Sequence, residues 1–133
     1  MGPRYDRLEL AAIFGGGSVG AVARGLLSEA IVAKGAQWPW ATFIVNLAGA
    51  ALLGYCVTRL QERLPPSTYR RPLLATGFCG ALTTFSTMQL ELLRMLDGGD
   101  YRLAATYAVA SVAGGYFVIF TALRLTRRVR IAG

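Results

Sequence analysis

The chain has 133 residues, enough for one domain, and 54% of them are hydrophobic. Its formal net charge is +7 and its pI is near 10.1, yet the arginines flank long apolar runs. That placement indicates a membrane surface and argues against a face that binds nucleic acid. Histidine is absent, and Cys56 and Cys79 each lie inside an apolar run, so the sequence offers neither a metal-ligand cluster nor a Cys–His nucleophile pair.

Four apolar segments follow one another along the chain, each long enough to cross a bilayer as a helix. They lie at about 8–32, 41–59, 72–95 and 102–125. The first segment carries Gly16 and Gly20 at a G-x-x-x-G spacing, which lets a second helix approach closely. Near its far end lies Arg24, which either reaches the membrane interface or has a structural role at a pore mouth. We therefore predict an all-α membrane protein with a single four-helix transmembrane domain over residues 1–133.

Lysines and arginines are distributed unevenly between the two sides of this arrangement. Ten lie in the N-terminal lead, the 59–71 region and the C-terminal tail, whereas four lie in or beside the two other connections. Cytoplasmic connections carry the excess of positive charge in membrane proteins. Both termini are therefore predicted to be cytoplasmic.

The third segment holds the most unusual stretch of the sequence, from Gly77 to Met88. Two glycines are followed there by four hydroxyl residues: Thr83, Thr84, Ser86 and Thr87. Glycine costs about 1 kcal/mol relative to alanine in a helix, and Ser or Thr side chains compete with the helical hydrogen bonds. Irregular backbone at membrane depth is tolerated only where it is buried in protein or lines a hydrated path. We predict a break in the middle of this helix, near residues 80–83, where freed carbonyls suit a cation.

The predicted helices offer neutral hydrogen-bond donors and no catalytic pair. Asn46 lies deep in the second helix, and Tyr107 and Ser111 lie in the fourth. No acid–base or nucleophile–base pair stands out, so we do not predict an enzyme. Neutral donors replace the hydration of a small anion without trapping it, and the ring edge of Phe85 carries partial positive charge. The alternative role for Asn46 is a hydrogen bond that holds two helices together.

These residues closely resemble the signature of a known family, the Fluc (CrcB) fluoride channels. The resemblance is carried by Gly77–Thr87, by the glycine-rich first helix ending at Arg24, by Asn46–Gly49 and by Glu91, and it covers essentially the whole chain. It implies a passive, fluoride-selective channel in the plasma membrane of a prokaryote. HF diffuses inward and dissociates in the neutral cytoplasm, and the channel lets fluoride leave, which lowers its toxicity.

The resemblance also implies an assembly and a site. Such channels are antiparallel dimers with two pores, and a structural sodium ion at the dimer centre is held by backbone carbonyls, here those of Gly80 and Thr83. Fluoride passes a pore asparagine, here Asn46, and phenylalanine edges, here Phe85. Other positions implied along the pore, with Arg24 at its mouth, are Thr84, Thr87, Met88, Glu91, Tyr107 and Ser111.

Two departures from the family pattern bear on the assembly. A second pore phenylalanine usually follows three residues after the first, and that position is Met88 here. Because methionine has no positive ring edge, we expect the pore that contains it to be weakened or silent. Many family members also insert in both orientations with little charge bias, whereas this chain is strongly biased. We therefore hypothesise a heterodimer with an oppositely oriented paralogue, with a dual-topology homodimer as the alternative.

Two other functions stay open at this point. The first is a non-conducting structural subunit of a heterodimeric fluoride channel, an alternative that the Met88 departure keeps open. The second is a small four-helix multidrug transporter, whose mechanism requires a carboxylate deep in the membrane. Glu9, Glu29 and Glu91 lie toward the ends of the predicted helices, so the sequence lacks that central residue.

Overall fold

The computed structural model describes residues 6–30, 37–62 and 69–128, with the backbone alone for 60–62. Regular structure in these ranges is helical throughout, which confirms the predicted all-α class. The elements are α1 (Arg7–Ala30), α2 (Trp40–Glu62), a π-helical segment (Pro72–Cys79), α3 (Gly80–Leu82), α4 (Phe85–Asp97) and α5 (Tyr101–Arg128). The predicted end of the first helix at residue 32 lies outside the described residues, as do Arg4, Lys34, Arg63 and Arg130 of the charge count.

Among the described residues, three helices are long and apolar enough to cross a membrane: α1, α2 over Trp40–Arg59, and α5. Their outward faces expose large apolar side chains, among them Phe14 (78% exposed) and Tyr116 (73% exposed). Apolar surface of this extent fits contact with lipid or with another subunit. The third predicted helix differs from the other three because its residues are divided among the π-helical segment, α3 and α4.

Glycines bring α1 and the π-helical segment into backbone contact. A Cβ atom at Gly16 would overlap the carbonyl of Leu73, and one at Gly20 would overlap the carbonyl of Phe78. On the other side of the same contact, a Cβ at Gly77 would press on the carbonyl of Ile13. The close approach predicted from the Gly16 and Gly20 spacing is confirmed, and the residue order shows that the two elements run parallel.

The helices α2 and α5 form a second parallel pair. Gly54 of α2 lies against Ala122 and Ile119, and Gly114 of α5 lies against Leu47.

A tight turn connects the short helix α4 to α5. In this turn Gly99 has φ +81°, a conformation that favours glycine. The apolar core between α4 and α5 contains Met88, Met95, Ala104 and Tyr107, with Trp38, Phe43, Leu92 and Leu103 packed around it.

Between α3 and α4 the backbone leaves the helical conformation for two residues. Thr83 has φ −74° and ψ 150°, and Thr84 has φ −143° and ψ 106°. Preceding this point are eight residues wound as a π-helix, a rare form that occurs mostly as single turns near functional sites. Two departures from α-helical geometry, separated by α3, therefore lie in one membrane-length stretch.

The glycine contact gives a test of the fold. We expect Gly20→Ala to lower the free energy of unfolding by about 1–3 kcal/mol, because its methyl group overlaps the Phe78 backbone. Gly25→Ala is the matched control, since no atom lies within 4 Å of a Cβ placed there. Thermal unfolding of the purified protein in detergent measures both variants. Equal melting temperatures for the two would contradict the close packing of α1.

Candidate functional site

Asn46 of α2 is paired with the backbone of Thr84, at the point where the helix is interrupted. The Thr84 backbone N–H donates to Asn46 Oδ1 at 2.8 Å, and Asn46 Nδ2 donates to the Thr84 carbonyl at 3.3 Å. Because a backbone N–H can only donate, the pairing also fixes which end of the amide is oxygen. Thr84 is buried, with 6% of its surface exposed, so its N–H is out of reach of bulk water. Leaving such a group unpaired costs about 1–3 kcal/mol.

Thr84 also begins α4 as its N-cap residue. Thr84 Oγ1 accepts from the Thr87 backbone N–H at 3.2 Å and donates to Thr87 Oγ1 at 2.8 Å. On the other side of the interruption, Thr83 Oγ1 donates to the Cys79 carbonyl at 3.0 Å. Three of the four hydroxyl residues singled out in the sequence therefore have hydrogen bonds that shape the backbone here, while Ser86 is exposed.

A second polar cluster joins α2, α4 and α5 around Glu91. Thr42 Oγ1 donates to Glu91 Oε1 at 2.6 Å, and the Tyr107 hydroxyl donates to Glu91 Oε2 at 2.7 Å. Tyr107 is completely buried, and the Trp38 ring meets it edge-on with centroids 5.4 Å apart. Each carboxylate oxygen of the partly buried Glu91 thus has a hydroxyl donor, which compensates for its reduced contact with water.

The two clusters are held by one face of α2. Thr42, Asn46 and Gly49 are spaced by four and three residues, so they lie on the same side of that helix. Gly49 completes the face, because a Cβ there would overlap the Thr83 side chain. In this way α2 contacts both residues of the interruption and the carboxylate of α4.

The other predicted site residues lie around this face at different depths. Phe85 is 68% exposed and points away from the protomer core, whereas Met88 is buried and packs with Met95 and Tyr107. Ser111 follows one turn after Tyr107, and its buried Oγ has no hydrogen-bond partner among the described residues. Gly80 is exposed, and Arg24 is half-buried on α1.

Two contributors were missed by the sequence reasoning. Thr42 donates a hydrogen bond to Glu91. The sequence feature that could have identified it is its position one helical turn before Asn46, on the same face of α2. The Trp38 ring packs edge-on against Tyr107. The position of Trp38 just before α2 in the sequence did not predict this contact. The paired partner of Asn46 was also not predictable, because the amide bonds a backbone group of a distant residue and no side chain.

The side chains of this site are hydrogen-bonding groups. Among the described ranges, no group of three or more Cys, Asp or Glu residues lies close enough to hold a metal ion. Hydroxyls, one carboxamide and backbone groups make up the polar surface, with Glu91 as its one carboxylate. Neutral donors of this kind can replace the hydration shell of a small ion.

Comparison with known proteins places this arrangement in context. The profile of the family described as CrcB-like protein, Camphor Resistance (CrcB), matches residues 11–123. The Fluoride-specific ion channel FluC 1 of Mycobacterium bovis is 55% identical over 129 residues, covering 97% of this chain and 98% of the relative. The Fluoride-specific ion channel FluC of Bordetella pertussis is 41% identical over 110 residues, 83% of this chain and 84% of its own. The Fluoride-specific ion channel FluC of Chlorobaculum tepidum is 38% identical over 112 residues, which cover 84% of this chain and 89% of that relative.

The Glu91 cluster gives a second prediction. We expect Tyr107→Phe to lower the free energy of unfolding by about 1.5–3 kcal/mol, since the change removes a buried hydrogen bond to a carboxylate. Tyr116→Phe is the control, because that ring is 73% exposed and its hydroxyl has no such carboxylate partner among the described residues. Denaturant unfolding monitored by tryptophan fluorescence compares the two. A Tyr107→Phe protein as stable as the Tyr116→Phe protein would refute the stabilising role of this cluster.

Proposed function

The chain belongs to the CrcB-like family, and from that premise we propose that it is a passive, fluoride-selective ion channel that lets cytoplasmic fluoride leave the cell. The observation that carries this conclusion is the nearly full-length match to relatives named as fluoride-specific ion channels. A channel of this kind is a transporter without enzymatic activity. Neither the non-conducting subunit nor the multidrug transporter is favoured by this match.

The polar face of the protomer supports the proposal chemically. Asn46, the threonines at the interruption and Ser111 are neutral donors, and Ser111 Oγ has no partner among the described residues. A small, strongly hydrated anion needs donors that replace its water without a fixed positive charge to trap it. Fluoride would pass along this face, from Asn46 and Thr84 toward Thr87, Glu91, Tyr107 and Ser111.

The pore we propose is completed by a second subunit in antiparallel orientation. Phe85 is exposed on the protomer surface, so its ring edge is available to a pore formed between two chains. Met88, in contrast, is enclosed by Met95 and Tyr107 of its own chain. The pore contributed at Met88 is therefore expected to be the weaker one.

The interruption after α3 fits a sodium site at the centre of such a dimer. Its donors would be the backbone carbonyls of Gly80 and Thr83, since the end of a helix leaves carbonyls without helical partners. Gly80 is exposed, and no atom lies within 4 Å of a Cβ placed there, so this helix end is open to a partner chain. When bound, sodium supplies positive charge between the two subunits.

We further propose that the protein lies in the plasma membrane of a prokaryote with both termini cytoplasmic. The charge bias along the chain supports this orientation. Arg59 and Arg124 lie over the rings of Tyr55 and Phe120, at 5.7 and 4.4 Å from the ring centroids. Arginine beside aromatic rings at helix ends is typical of a membrane interface. A strongly biased chain needs an oppositely oriented partner, which favours a heterodimer.

Fluoride transport is tested by efflux from proteoliposomes that contain the purified chain together with an oppositely oriented partner chain, with chloride as the control ion. We expect fluoride efflux without chloride efflux. Phe85→Ile should slow it about tenfold, because an aromatic edge interaction is worth up to about 1.5 kcal/mol. Phe117→Ile is the control, since that ring is also 67% exposed but lies on α5 away from the interruption. Chloride efflux as fast as fluoride efflux would contradict the proposal.

The heterodimer is tested by mapping the termini of this chain expressed alone. We expect both termini on the cytoplasmic side in nearly every copy, because ten of the fourteen lysines and arginines lie on that side. Single cysteines added at each terminus and labelled with a membrane-impermeant reagent measure the orientation. Substantial labelling from both sides, or fluoride conduction by the chain alone, would show that a homodimer suffices.

A further inference from the structure

We propose that Asn46 and Thr84 are positioning residues that release the carbonyls of Gly80 and Thr83 from the helix, so that these two oxygens are free for the central cation. This inference rests on the proposed function, because the cation belongs to the proposed dimer. It assigns to Asn46 a role toward sodium in addition to its place beside the fluoride path.

A continuous helix through this region would contain hydrogen bonds to both of these carbonyls. In an α-helix each backbone N–H donates to the carbonyl four residues earlier. The Gly80 carbonyl would thus accept from the Thr84 N–H, and the Thr83 carbonyl from the Thr87 N–H. Closing these two bonds would occupy the oxygens proposed to hold sodium.

Both donors are bonded elsewhere in this structure. The Thr84 N–H donates to Asn46 Oδ1 at 2.8 Å, and the Thr87 N–H donates to Thr84 Oγ1 at 3.2 Å. By contrast, the amide just before them is still helical, since the Thr83 N–H donates to the Cys79 carbonyl at 3.1 Å. The change in hydrogen bonding therefore begins at Thr84, the residue that Asn46 contacts.

The arrangement resembles a capping box whose second half comes from another helix. In a capping box the N-cap side chain bonds the N–H of the third helical residue, and a Glu or Gln there returns to the N-cap N–H. Thr84 supplies the first half at the start of α4, but the third residue is Thr87, whose hydroxyl instead accepts from Thr84 Oγ1. Asn46 of α2 supplies the missing acceptor for the Thr84 N–H.

Asparagine is suited to this position because its amide carries an acceptor and a donor side by side. The Oδ1 atom accepts from Thr84 while Nδ2 donates to the carbonyl of the same residue, so the extended backbone is held from both sides. One amide hydrogen of Nδ2 is left over for an anion, since a carboxamide has two donors. The same side chain can then serve the cation site and the fluoride path.

The experiment measures sodium binding by its effect on stability, so it does not depend on fluoride transport. Thermal unfolding of the purified dimer is followed while sodium replaces N-methylglucamine at constant ionic strength. A cation that binds only the folded protein raises the melting temperature in proportion to its affinity. We expect the parent protein to be stabilised by sodium and Asn46→Ala to need about 10–100 times more sodium for the same stabilisation, the range typical for loss of a group that orients a metal ligand.

Three further variants control this measurement. Thr84→Val, which removes the acceptor for the Thr87 N–H, should weaken sodium binding as Asn46→Ala does. Thr84→Ser keeps that oxygen and should bind like the parent. Thr42→Val removes a hydroxyl one turn away on the same face of α2, where it contacts Glu91 and not Thr84, and should also bind like the parent.

Hydrogen–deuterium exchange over residues 80–88 gives the second measurement. Asn46→Ala should slow exchange there, because the Thr84 N–H would then donate to the Gly80 carbonyl as in a continuous helix, and Thr42→Val should leave exchange unchanged. The proposal would be overturned if the melting temperatures of Asn46→Ala and Thr84→Val both depended on sodium as that of the parent protein does. It would also be overturned if exchange were unchanged in Asn46→Ala, or if sodium did not stabilise the parent protein. Failure of fluoride efflux would leave these two measurements intact, so the proposed channel and this inference fail separately.

Discussion

The pairing of Asn46 with the backbone of Thr84 is the interaction on which the functional part of this protein depends. A helix crossing a membrane normally satisfies its own backbone, because no water is present to do so. Interrupting the helix at Thr83 and Thr84 leaves buried polar groups that need other partners, and α2 supplies them through one carboxamide. Without that amide, the buried Thr84 N–H would favour closure of the helix onto Gly80.

Close glycine packing makes this interaction possible. Gly16, Gly20 and Gly77 bring α1 against the π-helical segment, while Gly49 lets α2 contact the Thr83 side chain. Each glycine removes the side chain that would keep two backbones apart, so the interruption is held from two sides. Two packed pairs of elements therefore support the interruption: α1 with the π-helical segment, and α2 with α5. The irregular residues Thr83 and Thr84 lie between these pairs.

Much of this could be predicted from the sequence, and what could not has physical reasons. Apolar length predicted α1, α2 and α5, and the G-x-x-x-G spacing predicted a close contact of α1, because both signals are local. The partner of Asn46 could not be predicted, since hydrogen bonds to a backbone leave no pattern in side-chain identity. The same limit applies to Thr42, because its role as a hydrogen-bond donor is recognised only when the fold places Glu91 beside it. The π-helical winding of Pro72–Cys79, which packs against α1, was likewise not predicted from the sequence.

The most direct test of the account is an electrical recording from an antiparallel pair made from this chain alone. A copy stripped of Arg59, Arg70 and Arg71 and given lysines in the 97–100 turn should insert in the opposite orientation. Planar bilayers containing both copies, with their orientations verified, then provide the proposed dimer without a natural partner. We expect a current that reverses at the equilibrium potential of fluoride and does not change when a chloride gradient is imposed. A verified pair that carries no fluoride current, or one whose current follows chloride, would contradict it.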